Sequence, residues 1–176
     1  MLDFIYSSNA RKALMVLGAL VIIALLITNL FVISIFIGAS LVVSLIIGKL
    51  KIKGIGVELV TFVTVLSSLA YGPAAGAIIG LVLIIFHLAI PQYSGAYIIW
   101  VIPEYMLAAV VATTLSGSAA SIGIIVTLAL NAINVLLTFL VYKEHLPNYL
   151  PYVVTNVIFN ALLFTQAGEA VLGMLR

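Results

Sequence analysis

Long apolar runs dominate the chain, and short polar segments divide them. The runs are continuous and do not alternate with polar residues, which favours helices over the strands of a closed barrel. A helix needs about 20 apolar residues to cross a bilayer core of about 30 Å, and most of the runs approach that length. The pattern therefore predicts an all-α integral membrane protein, with residues 1–176 forming a single transmembrane helical domain.

The first apolar run sets the number of predicted helices. It extends over residues 13–48 without a charge, and as one helix it would be about 54 Å long, which requires severe tilt. We favour two short helices that meet at Thr28-Asn29, with a single long kinked helix as the alternative, so we predict a bundle of six or seven helices. The predicted helices cover residues 13–28, 30–48, a pair over 57–90, 96–115 (interrupted by Pro103), 120–142 and 152–172.

Composition supports a membrane location. The chain is 65% hydrophobic and 7% charged, whereas about 25% of residues are charged in soluble proteins. Arg11 and Lys12 precede the first run, but that run continues past signal-peptide length without an A-x-A site, so we expect a retained span. The net charge of +2 does not indicate nucleic-acid binding. We expect a multi-pass protein of the cell membrane that contacts the lipid bilayer.

A tight joint at Tyr71-Gly72-Pro73 links the predicted pair of helices. Pro73 fits the first turn of a helix, and Gly72 fits the end of the preceding one. Gly72, Gly76 and Gly80 recur every four residues and share a face, which would let another helix approach closely within the bilayer. We predict that these three glycines are helix-packing residues.

The connections alternate in length. Longer polar loops are predicted around residues 49–56, 91–96 and 143–151, and tight turns at 72–73 and 116–118. If each helix crosses once, the longer loops share one face of the membrane. We expect that face to carry a binding site.

Polar residues recur at helical spacing inside the apolar segments. A single Asn or Thr is most simply explained by a hydrogen bond to a neighbouring helix, but three stripes together predict a polar cavity. The stripes are Glu58, Thr61, Ser68; Thr127, Asn131, Asn134, Thr138; and Asn156, Asn160.

Ionisable residues within the apolar segments are the strongest functional candidates, because a charge inside a membrane is costly. Glu58 and Glu104 lie near helix ends on the loop-bearing face, where they either reach water or bind a ligand. His87 fits a packing role more simply. Tyr97, Trp100 and Glu104 share a face, which suits either an aromatic belt or a flat polar ligand. The predicted ligand-binding residues are Glu58, His87, Trp100, Glu104, Asn131, Asn134, Asn156 and Asn160.

Signatures of catalysis are missing from the sequence. It contains no H-E-x-x-H, G-x-S-x-G or phosphate-binding P-loop pattern. Cysteine is absent and the two histidines lack metal-ligand spacing. We therefore predict no enzyme, no metal site and no cofactor.

Two segments carry a resemblance to a known family. GIGVELVTFVTVLSSLAYGPAAGAIIG (residues 54–80) and YIIWVIPEYMLAAVVATTLSG (residues 97–117) resemble the substrate-binding membrane subunits, or S components, of energy-coupling-factor vitamin transporters. The resemblance implies a six-helix fold with the ligand under the outer loops. It also implies uptake of a small vitamin-like molecule, together with a transmembrane coupling subunit and ATPases on other chains.

Two features depart from that family. The alanine pair that docks S components onto their coupling partner is not evident among Ala13, Ala19 and Ala24. The lysines of the longer loops put the loop-bearing face in the cytoplasm by the positive-inside rule, whereas the family would have it outside. Orientation therefore stays open.

Two other functions fit the sequence. In the first, a structural membrane protein resembling rod-shape-determining membrane subunits docks a partner through the face of Gly72, Gly76 and Gly80. In the second, Glu58, His87 and Glu104 form an ion or proton pathway, which requires them to lie in one continuous file.

Overall fold

Six helices form the part of the chain that the structure describes. The structure is a computed structural model, and it describes residues 28–50, 54–89, 97–142 and 149–176. The prediction of an all-α protein is confirmed for these residues, which contain no strand. The helices are α1 (Thr28–Leu50), α2 (Val60–Tyr71), α3 (Pro73–Ala89), α4 (Ile98–Thr114), α5 (Ala119–Tyr142) and α6 (Leu150–Leu175).

Some predicted helix boundaries are corrected by the structure. α6 begins at Leu150, before the predicted residue 152, because Pro151 occupies its first turn, where the missing N–H has no helical partner. α4 continues through Pro103 without the predicted interruption. The helix predicted over 13–28 lies outside the described residues except for Thr28, as do the loop over 91–96 and most of 143–151. The choice between one and two helices in the first apolar run also depends on residues outside the described ranges.

α2 begins at Val60, not at the predicted residue 57, because the preceding segment is tied to α6. Gly56 N–H donates to Thr155 Oγ1 at 2.7 Å, and Gly56 O accepts from Asn156 Nδ2 at 2.9 Å. A Cβ atom at Gly56 would lie 2.8 Å from Asn156 N, so only glycine fits this approach. Both backbone groups of Gly56 are therefore satisfied by α6 and not by a helical turn.

The described helices include three that are long and apolar enough to cross a membrane. They correspond to Phe31–Leu50, Ala119–Val141 and Leu150–Leu175, while α2, α3 and α4 are shorter apolar helices of 12, 17 and 17 residues. Large apolar side chains face outward, among them Ile99, which is 75% exposed, whereas Thr64 and Asn160 are fully buried. Polar groups inside and apolar groups outside are the arrangement that a lipid surrounding favours. The structure thus supports membrane association.

α2 and α3 form a closely packed antiparallel pair. Gly72 ends α2 with a φ of 91° and donates its N–H to Ser68 O at 2.9 Å, and Pro73 begins α3. A Cβ atom at Gly76 would lie 2.9 Å from Ser68 Cα, and one at Gly80 would lie 2.6 Å from Thr64 Oγ1. Gly76 and Gly80 are therefore covered by α2 of the same chain, whereas a Cβ atom at Gly72 would meet nothing within 4 Å, so Gly72 ends α2 and is not the packing residue that we predicted.

Aromatic side chains fill the centre of the bundle. Phe62 of α2 lies between Phe36 of α1 and Phe164 of α6, with ring centroids at 5.7 and 4.9 Å. Phe62 and Phe164 are both fully buried. A Cβ atom at Gly123 of α5 would overlap the Phe164 ring, so this glycine makes room for the aromatic stack.

The α2–α3 contact gives a test of the packing. Gly76→Ala places a methyl group against the backbone of Ser68, so we expect a loss of about 1–3 kcal/mol of stability, as for other overpacked cores. Gly38→Ala is the matched control, because a Cβ atom there meets nothing within 4 Å. Thermal unfolding of both variants in the same detergent measures the difference. An equal Tm for the two variants would contradict the close approach.

Candidate functional site

A buried carboxylate lies immediately before α2. Glu58 is 1% exposed, and its Oε2 accepts the Thr61 N–H at 2.9 Å. That N–H belongs to the first turn of α2, where backbone donors have no helical partner. Glu58 Oε1 accepts from Thr61 Oγ1 at 2.6 Å. The carboxylate therefore satisfies a backbone donor at the start of α2 with Oε2 and holds the Thr61 side chain with Oε1.

α6 supplies two further donors to the same carboxylate. Asn156 Nδ2 and Asn160 Nδ2 each lie 3.2 Å from Glu58 Oε1. These residues are four apart, so they share one face of α6. In total, Glu58 accepts four hydrogen bonds from Thr61, Asn156 and Asn160.

The network around Glu58 reaches two more helices. Asn131 of α5 donates from Nδ2 to Asn156 Oδ1 at 2.8 Å. Tyr105 OH of α4 lies 3.3 Å from Thr61 Oγ1; because the Thr61 hydroxyl donates to Glu58, it accepts from Tyr105. The Glu58 network, defined as Glu58, Thr61, Tyr105, Asn131, Asn156 and Asn160, thus joins α2, α4, α5 and α6.

A second polar group lies between α4 and α5. Asn134 Nδ2 donates to Glu104 Oε2 at 2.6 Å, and Trp100 Nε1 donates to Asn134 Oδ1 at 3.2 Å. Glu104 is 5% exposed, and its Oε1 has no hydrogen-bond partner among the described residues. The Glu104 cluster, defined as Trp100, Glu104 and Asn134, therefore holds a carboxylate with one oxygen that no described residue contacts by a hydrogen bond.

Aromatic residues lie at the same end of the bundle. Tyr149 precedes α6 and is half-buried; burial, followed by the nearby charge of Glu104, raises the pKa of Tyr149 to about 12. Its ring stacks on that of Tyr152, with centroids 5.6 Å apart. The phenol therefore stays neutral beside Glu104.

An apolar groove adjoins the Glu104 cluster. It runs along the seam between α4 and α5, is open on one side and has a volume of about 60 Å³. Glu104 is the one polar residue that lines it. The other lining residues are Leu107, Ala108, Val111, Val126, Ala129, Leu130 and Ile133.

His87 contacts α1. Its Nδ1 lies 2.9 Å from Ser44 Oγ, which itself donates to Ser40 O at 2.9 Å. The Ser44 hydroxyl proton is thus used, so His87 Nδ1–H is the donor of the pair. This contact joins α3 to α1, and its geometry fits helix packing.

Seven of the eight predicted ligand-binding residues lie in two hydrogen-bonded groups, and the eighth, His87, is paired with Ser44. Glu58, Asn131, Asn156 and Asn160 lie in the Glu58 network, and the other three form the Glu104 cluster. The sequence analysis missed Tyr105, Thr155 and the pairing of Ser44 with His87. Tyr105 follows Glu104 directly in an apolar helix, and this position is the one feature of the sequence that could have marked it as a candidate.

Other buried oxygen atoms also lack partners within the described segments. They are Asn160 Oδ1, Thr64 Oγ1 and Ser67 Oγ. The described residues contain no cluster of three His, Asp or Glu side chains that could hold a metal ion. The arrangement is suited to hydrogen-bond recognition.

Comparison of the chain with protein-family models, with curated proteins and with solved structures gave no significant match. The interpretation of the site therefore depends on its own geometry.

The role of Glu58 can be tested by replacing its carboxylate with an uncharged amide of nearly the same shape. Glu58→Gln replaces an accepting oxygen with an amide that cannot accept, so buried donors of Thr61 or α6 lose their partner. We expect the free energy of unfolding to fall by about 2–3 kcal/mol, the usual cost of leaving a buried hydrogen-bond donor without its acceptor. Thermal unfolding in detergent measures the loss.

Glu169→Gln is the control for this substitution. Glu169 Oε1 accepts the Ala119 N–H at 2.6 Å at the opposite end of the bundle, and the glutamine Oε1 can still accept that bond. A Tm for Glu58→Gln equal to that of Glu169→Gln would show that the network contributes no special stability.

Proposed function

We propose that this chain is a membrane-embedded binding subunit for the uptake of a small vitamin-like molecule, with six spans and a separate ATPase-driven coupling module. The observation that carries the proposal is that two carboxylates and four asparagine side chains lie in two hydrogen-bonded groups within a largely apolar bundle. Intramembrane polar residues are costly and commonly mark a substrate site. The resemblance of residues 54–80 and 97–117 to S components supports the same function.

The two polar groups suit different roles in binding. The Glu58 carboxylate accepts four internal hydrogen bonds, so the Glu58 network acts as the scaffold that fixes α2, α4, α5 and α6. Glu104 has a carboxylate oxygen without a hydrogen-bond partner among the described residues, and the residue also lines a groove, so the Glu104 cluster supplies the contact to the ligand. Trp100 and Asn134 orient Glu104 through their shared hydrogen-bond chain.

The alternatives have less support. Docking of a partner requires a free face at Gly72, Gly76 and Gly80, but Gly76 and Gly80 are covered by α2. An ion pathway requires Glu58, His87 and Glu104 in one file. The described hydrogen bonds instead divide them among the Glu58 network, the contact with Ser44 and the Glu104 cluster.

Native mass spectrometry of the purified protein tests the binding function. We expect a small molecule to co-purify with the wild type. For Glu104→Gln we expect the affinity, calculated from the fraction of ligand-bound protein, to fall about 10- to 100-fold. That range follows from the 1.5–3 kcal/mol typical of a hydrogen bond to a charged group. Trp100→Phe should weaken binding as well, since it removes the donor that orients Asn134.

Glu169→Gln serves as the control and should retain the ligand. Equal occupancy in Glu104→Gln and the wild type would contradict the proposed site. A stoichiometric protein partner without any small molecule would favour the docking function instead.

A further inference from the structure

The contact between α4 and α5 is less extensive than that between α2 and α3, the other pair of helices joined by a tight turn. α4 packs mainly on α3, and α5 packs mainly on α6. Two rows of residues line the groove. One row comes from α4 (104, 107, 108 and 111) and the other from α5 (126, 129, 130 and 133). Both sets follow helical spacing, so the groove runs parallel to the helix axes. Its length from residue 104 to 111 is about 10 Å at 1.5 Å per residue.

Polarity is confined to one end of this groove. Glu104 lies at the loop-bearing end, and every other lining residue is apolar. Asn134 holds Glu104 Oε2, while Oε1 is buried without a partner among the described residues. A buried acceptor in an apolar surrounding is unfavourable until a donor reaches it.

We propose that the α4–α5 groove binds an amphipathic amine, with its ammonium group at Glu104 and its apolar body along the seam towards Val111. This inference rests on the proposed binding function and specifies the chemistry of the ligand. An ammonium supplies both a hydrogen-bond donor and the charge that compensates a carboxylate. The apolar walls give no partner to a hydroxyl-rich or anionic ligand.

Aromatic groups near Glu104 support a cationic ligand. Trp100 belongs to the Glu104 cluster, and Tyr149 is close enough to Glu104 for its pKa to respond to that charge. Aromatic faces attract ammonium groups, most strongly where water is excluded.

The rim of the groove indicates how the ligand enters. Leu107, Val111 and Ile133 are 61, 39 and 42% exposed, so the open side is bordered by apolar side chains that face the bilayer. An amine with a hydrocarbon body partitions into lipid and can enter the seam from the side. Access through the longer loops is not required.

Trp100 gives a specific readout, because it is the one tryptophan of the chain. The full chain is placed in phosphatidylcholine nanodiscs and titrated with octylamine, with octanol as the neutral probe of similar length. We expect a saturable shift of Trp100 emission with octylamine and none with octanol. Equal shifts with both probes would overturn the proposal.

Two pairs of variants locate the binding. Glu104→Gln should raise the apparent Kd for octylamine at least tenfold, whereas Glu169→Gln should leave it unchanged. Ala129→Leu fills the groove from an exposed position and should also raise the Kd at least tenfold. Ala132→Leu is its control, because Ala132 is exposed on the same helix but does not line the groove. An unchanged Kd in Ala129→Leu would overturn the proposal.

A third arm distinguishes a free amine from a lipid headgroup. Nanodiscs containing phosphatidylethanolamine should leave octylamine binding intact. If that lipid alone shifts Trp100 emission and blocks octylamine, the occupant is the headgroup and the proposal is overturned. If octylamine fails while a co-purified ligand still depends on Glu104, this inference fails and the proposed function stands.

Discussion

The buried carboxylate of Glu58 is the constraint on which the rest of the structure depends. Lipid offers no water to solvate such a group, so every acceptor position must be met by the protein itself. The donors come from Thr61 at the start of α2 and from Asn156 and Asn160 on α6. Asn131 and Tyr105 then attach α5 and α4. One charged group therefore fixes the relative positions of four helices that otherwise meet through apolar contacts.

The two polar groups differ in one physical respect. The carboxylate of Glu58 accepts four hydrogen bonds, whereas one oxygen of Glu104, a residue that lines the groove, has no partner within the described part of the chain. A carboxylate whose acceptor positions are all filled by the protein stabilises the fold. A carboxylate with an unfilled acceptor position can accept a hydrogen bond from a ligand. That difference is the reason why we assign a scaffold role to Glu58 and propose a binding role for Glu104, even though both carboxylates lie near the same end of the bundle.

The sequence predicted local features well. The joint at Gly72 and Pro73, the glycine face of α3 and the polar stripes all depend on residues within a few turns of each other. The partners of those stripes could not be predicted in this way. The Glu104–Asn134 pair spans 30 residues, and the Glu58–Asn160 pair spans 102, and no local spacing encodes which distant side chains will meet. The start of α2 was misplaced for the same reason, because Gly56 is bonded to α6 and not to its neighbours.

The contact between Gly56 and α6 has a consequence for biosynthesis. Gly56 and Thr155 are separated by 99 residues, which the ribosome takes roughly 5 to 20 s to add at its usual rates. Throughout that interval, the extended segment before α2 and the carboxylate of Glu58 have no partners from α6. The nascent α2–α3 hairpin therefore stays without these contacts until α6 has been synthesised. A chain terminated before α6 would present these unpaired groups to the proteases of membrane quality control.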